Sequence, residues 1–185
     1  LAGEQQAVVI TLGTGVGSGV IMDGRIWRAN HFTGPELGHL YLGPGRGKRC
    51  GCGQVGCAET WLNKKALLDL FLDEGLAGSD LREFHQAVVD KDPRAAKVMG
   101  RYGRRLGLFI SSLQVVFGSH NIGLSGGLSA YVPYCQQHTW ATLKKRLEHR
   151  SWWLPGRLVA SPDPEMSALL GMARILIHKE EGQEQ

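Results

Sequence analysis

The apolar residues change period along the chain. Ala7-Val8-Val9-Ile10-Thr11-Leu12 is a continuous β-rich run, and Val20-Ile21-Met22 returns after a glycine-rich stretch. Asp23-Gly24 then supplies a type I′ turn signal ahead of Arg25-Ile26-Trp27, which predicts a hairpin. From Asn30 to Ala58 apolar residues thin out, and Gly, Pro and Cys recur at close intervals. A loop of that length is uncommon unless it is functional or stapled. Beyond it the spacing becomes helical. Thr60 is positioned to cap a helix carrying Leu67, Leu68, Phe71 and Leu72, and Ser79-Asp80 to start one carrying Leu81, Phe84 and Val88. Asp92-Pro93 opens a long helix with a stripe of Leu106, Phe109, Ile110, Leu113, Val116 and Phe117. A strand at Asn121–Leu124 runs into Ser125-Gly126-Gly127. It is followed by a helix over roughly 131–149, a strand at Arg157–Ala160 and a helix from about Pro164 to His178. A hairpin followed by alternating helix and strand predicts an α/β domain with a mixed sheet and flanking helices.

Composition narrows the function classes. At 185 residues the chain can form one domain with a full core, and 43% hydrophobic with 21% charged residues is a globular balance. The net charge of +4 comes from scattered side chains, with no aromatic-interleaved basic stripe and no recognition-helix pattern, which argues against a nucleic-acid surface. No apolar run reaches the roughly 18 residues of a membrane span, and no signal peptide opens the chain, so a cytoplasmic protein is expected. The chain starts at Leu1 and enters a strand within a few residues, so we expect a fragment or a processed chain.

Chemistry concentrates in two places. Cys50-Gly-Cys52-Gly-Gln-Val-Gly-Cys57 places three thiols within eight residues, among glycines that permit tight turns. Three thiolates converging on Zn2+ leave one tetrahedral position for a further N or S ligand, and His39 is the nearest upstream histidine in the same loop. The competing readings are a chance cluster, or a disulfide plus a free thiol, which is disfavoured in a cytoplasmic chain. Cys135 stands alone in a helix and reads as a small buried hydrophobe. The second concentration is Gly13-Thr14-Gly15-Val16-Gly17-Ser18-Gly19, with glycine at every second position. That pattern lets backbone N–H groups approach phosphate oxygens, and it equally suits a tight hairpin. It lacks the Lys-Ser/Thr ending of a P-loop, and a strand follows it where a Rossmann turn needs a helix.

These two motifs, with Thr33-Gly34-Pro35-Glu36-Leu37-Gly38-His39 between them, occur in the order and at the intervals of the ROK signature region. The whole chain resembles the C-terminal half of ROK-family sugar kinases, such as bacterial N-acetylglucosamine and glucose kinases. The resemblance implies a ribonuclease H-like, actin-like ATPase domain with a zinc-stapled loop, spanning 1–185 as a C-terminal domain. His39, Cys50, Cys52 and Cys57 would hold a structural zinc. Glu36, His39 and Glu59, with Asn30 as a further candidate, would bind a sugar, since a carboxylate accepts hydrogen bonds from neighbouring hydroxyls. Without that frame the two glutamates read as ordinary solvated side chains. Gly13, Thr14, Gly15 and Gly17 would face the ATP phosphates, and Gly126 and Gly127 the adenosine. Pro35 departs from the family, which usually has Gly before the Glu.

The resemblance also implies what is missing. The family's general base, an Asp in an Asn-Asp motif, and its first phosphate motif lie upstream of the glycine loop, and neither is in this sequence. We therefore expect no catalytic residue here, and an intact protein that uses ATP with Mg2+, pairs as a homodimer and phosphorylates a hexose or N-acetylhexosamine. The alternative is the sugar-sensing domain of a ROK transcriptional repressor, which would contact nucleic acid only through an upstream helix-turn-helix. Gly13-Thr14-Gly15, which the repressors tend to lose, favours the kinase.

Overall fold

The hairpin at Asp23-Gly24 forms as the dipeptide predicts, with both residues at positive φ, 53° and 74°. A computed structural model describes residues 3–29, 34–44 and 48–171. In it, β1 (Ala7–Leu12), β2 (Val16–Met22), β3 (Arg25–Trp27), β4 (Asn121–Ser125) and β5 (Arg157–Ala160) form one sheet in the order β3-β2-β1-β4-β5. The first three strands are antiparallel neighbours, whereas β4 runs parallel to β1 and β5 parallel to β4. This mixed sheet with helical crossovers is the ribonuclease H-like arrangement of the actin-like ATPases. β2 starts earlier than its composition suggests. Val16 pairs with Leu12 and Gly17 with Thr11, so pairing to the central strand overrides the low β-propensity of glycine.

The helices are α1 (Glu59–Leu62), α2 (Lys64–Asp73), α3 (Leu81–Val89), α4 (Pro93–Phe117) and α5 (Val132–Arg146). Short 3-10 turns occupy Leu37–His39, Gly127–Tyr131 and Glu148–Trp153. Residues 164–171 are helical, and the rest of the helix expected to reach His178 lies outside the described residues. Val8, Ile10 and Leu12 from alternate positions of β1 join Leu62, Phe71, Leu106, Phe109, Ile122 and Leu124 in one core. Cys135 is fully buried against it, as a small hydrophobe should be. Val116 departs from the expected stripe: it is 68% exposed, as α4 ends one residue later at Phe117 and is capped by Gly118 in the left-handed conformation.

Thr60 does not cap the long helix. It lies inside the single turn α1 and donates its hydroxyl to the Cys57 carbonyl, while Asn63 caps α2 by accepting from the Ala66 amide at 2.8 Å. So short a helix leaves its carbonyls unsatisfied. The long helix α4 supplies partners: Tyr102 Oη donates to the Leu62 carbonyl at 2.7 Å, and Arg105 donates to that of Trp61 at 3.1 Å while lying over its indole. Tertiary contacts therefore fix α1, and with it Glu59.

Asp92 caps α4, accepting from the Arg94 amide at 2.7 Å and pairing with its guanidinium. The Arg94 side chain, followed by that amide, holds the Asp92 carboxyl down at about 2. Because the folded value lies below the ordinary carboxylate value of about 3.9, this stabilisation is complete above about pH 4 and is lost as pH falls toward 2. The stability advantage of the native chain over Asp92→Asn, which keeps the cap, should be constant from pH 7 to pH 4.5 in thermal melts and shrink between pH 4 and 2. A pH-independent difference would contradict this.

Candidate metal centre and adjoining glycine loops

The loop between β3 and α1 folds back on itself through two isolated antiparallel bridges, Tyr41↔Cys57 and Arg49↔Val55. The Cys50 amide donates to the Gln54 carbonyl at 2.8 Å and that of Gly53 to Cys50 at 2.9 Å, a tight turn with Gly53 at φ 89°. These turns bring His39, Cys50, Cys52 and Cys57 together, their ligand atoms all within 4.8 Å of one another. Cys50 Sγ lies 3.5 Å from His39 Nδ1, and Cys52 Sγ 3.6 Å from Cys57 Sγ. A tetrahedron with bonds of 2.0–2.3 Å has edges of about 3.3–3.8 Å. The donor set and its spacing therefore fit one tetrahedral ion, and no disulfide joins these cysteines.

Burial pushes the Cys50 thiol up to about 12 and raises that of Cys57. Exposed Cys52 is lowered instead, chiefly by the Gln54 amide. Two buried thiols become thiolates at neutral pH only beside a cation.

Glu59, at the start of α1, ties this cluster to the glycine loop. Its Oε1 accepts from the Cys50 thiol at 3.3 Å and its Oε2 from the Val16 amide at 3.1 Å. A Cβ on Gly15 would stand 2.6 Å from Oε2, so the carboxylate reaches the backbone only because position 15 is bare. Behind the loop, the Lys64 amide at the start of α2 donates to the Gly13 carbonyl at 2.7 Å. Glu36 is exposed, with Oε2 3.8 Å from His39 Nε2. The His39 ring thus presents Nδ1 to the thiols and Nε2 toward Glu36.

The two glycine motifs meet. β1 and β4 are parallel neighbours, so Gly13-Thr14-Gly15 and Ser125-Gly126-Gly127 leave the same end of the sheet, where parallel sheets place their ligands. Gly126, at φ 84°, packs on the Leu12 backbone, where a Cβ would come within 2.4 Å of the carbonyl oxygen. A Cβ on Gly13 or Gly127 would meet nothing within 4 Å, so open space faces both. Gly17 stands apart from that turn, inside β2 and against the Thr11 side chain. Asn30 lies outside the described residues. A cavity of about 220 Å³ lined by Lys48, Trp61, Asp69, Asp73 and Arg105 includes none of the predicted site residues. Sequence reasoning did not single out Ser18, or the role of Tyr102 and Arg105 in fixing α1. Their contacts cross 17 to 44 positions and leave no local signal.

The sequence pattern of the ROK family matches residues 2–179. Over 134 residues the chain is 31% identical to the N-acetylgalactosamine kinase AgaK of Shewanella sp. (strain ANA-3), covering 69% of this chain and 44% of that protein. Among solved structures it is similar to the ROK hexokinase from Thermus thermophilus, at 29% identity with a TM-score of 0.73, covering 91% of this chain and 56% of that one. It is also similar to a ROK family transcriptional regulator homologous to the E. coli MLC protein, at 25% identity with a TM-score of 0.68, covering 85% and 42%. The chain spans about half the length of the curated relatives it matches. Among the described residues no helix is long and apolar enough to cross a membrane. A match over nearly the whole sequence, with the cysteine loop and glycine motifs assembled in one place, establishes that the chain belongs to the ROK family.

Proposed function

We propose that this chain is the C-terminal, acceptor-recognising part of an ATP-dependent ROK sugar kinase acting on a hexose or N-acetylhexosamine. The observation that carries the reading is Glu59, which joins the thiol–imidazole cluster to the glycine loop and so sets an acceptor site beside a phosphate site. His39, Cys50, Cys52 and Cys57 hold Zn2+, which supplies a fixed closure for the loop and takes no part in the chemistry. Glu36 and Glu59 accept from the sugar hydroxyls and the Nε2–H of His39 donates to one, with Asn30 as a further contact. The backbone at Gly13, Thr14 and Gly15, with Gly17 behind it, lines the phosphate path, and Gly126 and Gly127 leave room for the nucleoside. The carboxylate that takes the proton from the attacking hydroxyl, and part of the Mg2+·ATP site, come from a preceding segment. The intact protein is a cytoplasmic homodimer.

The similarity to a ROK regulator supports a second reading, a sugar-sensing domain without phosphoryl transfer. Gly13-Thr14-Gly15, with open space facing Gly13, favours the kinase.

Calorimetric titration of the zinc-loaded chain with glucose, N-acetylmannosamine and N-acetylgalactosamine should give binding to at least one. Glu59→Gln should weaken it tenfold or more, because one acceptor becomes a donor. With ATP, Mg2+ and a coupled assay, the chain should show no turnover. Turnover would place the base within these 185 residues, and the absence of binding to all three sugars would remove the acceptor-site reading.

A further inference from the structure

Glu36 and His39 have few anchors of their own. The Glu36 side chain is 72% exposed and its contact with a side chain is His39 Nε2 at 3.8 Å, so its direction is set by its backbone. That backbone is held from β2. The Ser18 hydroxyl donates to the Pro35 carbonyl at 2.5 Å and accepts from the Leu37 amide at 3.2 Å, bracketing Glu36 on both sides. Two residues before Ser18, on the same face of the strand, the Val16 carbonyl seats Gly38, where a Cβ would fall 2.1 Å from the oxygen. Between these supports the 3-10 turn closes, with the His39 amide donating to Glu36 and the Leu40 amide to Leu37. Pro35 has no N–H with which to anchor this turn, so the hydroxyl supplies both a donor and an acceptor for it.

We infer that Ser18 is a positioning residue for Glu36 and His39, holding the acceptor loop to the strand that also carries the phosphate-facing turn. The inference rests on the reading of Glu36 and His39 given under the proposed function. Its physical content is that one hydroxyl serves two backbone groups of the loop, the Pro35 carbonyl and the Leu37 amide. Ser18→Ala removes both, whereas Ser18→Thr keeps them and adds a methyl suited to a strand.

The test compares Ser18→Ala and Ser18→Thr with the native chain by residue-resolved amide exchange and by Co2+ titration against a competing chelator. Ser18→Ala should speed exchange at Leu37, His39 and Leu40 at least tenfold and leave Ile110, in the middle of α4, unchanged. It should also weaken Co2+ about tenfold and shift the thiolate–Co2+ absorption as His39 loses its orientation. Ser18→Thr should restore all of these. Native exchange and Co2+ affinity in Ser18→Ala would overturn the inference, as would acceleration at Ile110 equal to that at Leu37. If the native chain takes up no Co2+, the metal reading falls, and the exchange at Leu37 alone decides the role of Ser18.

Discussion

Cys57→Ser should weaken metal binding by about two orders of magnitude, and its melting temperature should fall toward that of the chelator-treated native chain. The thiol is 2% exposed and lies 3.6 Å from Cys52 Sγ. A serine hydroxyl is not ionised at neutral pH and offers zinc a far poorer ligand than a thiolate. Structural zinc sites bind with about 10–16 kcal/mol, so one ligand of four carries roughly 3 kcal/mol, or about two orders of magnitude in affinity. Metal analysis should give about one zinc per native chain and a small fraction of that for the variant. A native chain that purifies folded and metal-free, and melts identically with and without added zinc, would falsify the assignment. Cys135→Ser offers a control. Its thiol is buried away from the cluster, so the variant should lose stability without changing metal content.

Gly103→Ala should destabilise the chain by about 2 kcal/mol although alanine is the better helix former by about 1 kcal/mol. The added Cβ would stand 2.4 Å from the Cys135 carbonyl oxygen and 3.0 Å from the His138 Cβ, so α4 and α5 must separate to admit it. Gly100, one turn earlier in the same helix, supplies the contrast. There a Cβ meets only the far ends of His138 and Arg104, at 3.2–3.5 Å. Those side chains can move, so Gly100→Ala should be neutral or stabilising by up to about 1 kcal/mol. Urea unfolding of both variants reads the difference directly. Equal effects would mean that the helices are not in close contact at Gly103.

The same distinction separates what was legible in the sequence from what was not. The cysteine loop was legible because its three thiols lie within eight residues, among glycines that let them converge. The hairpin was legible because Asp23-Gly24 demands positive φ locally, and the long helix because Asp92-Pro93 marks its start and an apolar stripe at helical spacing follows. Thr60 was misread as a cap because α1 is imposed by Tyr102 and Arg105, about 40 positions away, and not by its own propensity. β2 was expected to begin at Val20 because glycine argues against a strand, yet β1 supplies the pairing partner from Leu12 onward. Within the site, nearness to the cysteines pointed to His39 as a ligand, and the family resemblance supplied Glu36, His39 and Glu59 as sugar contacts. Neither gave any sign that Glu59 touches Val16 or that Ser18 holds Pro35 and Leu37, since those contacts exist only once the strand and the loop share a face.

The Glu59 bridge makes the two halves of the site thermodynamically reciprocal. One carboxylate is shared between a backbone amide of the phosphate-facing turn and a thiol of the metal cluster. Whatever orders the turn therefore also fixes Glu59 against Cys50. By linkage, any factor by which an anion at the turn changes the affinity of the thiol cluster for a cation is the factor by which the cation changes the affinity for the anion, and since a cation displaces the Cys50 proton, that coupling runs through loss of the thiol–carboxylate hydrogen bond. The loop is thus more than a static brace, because a change at the neighbouring turn reaches the thiols through one side chain.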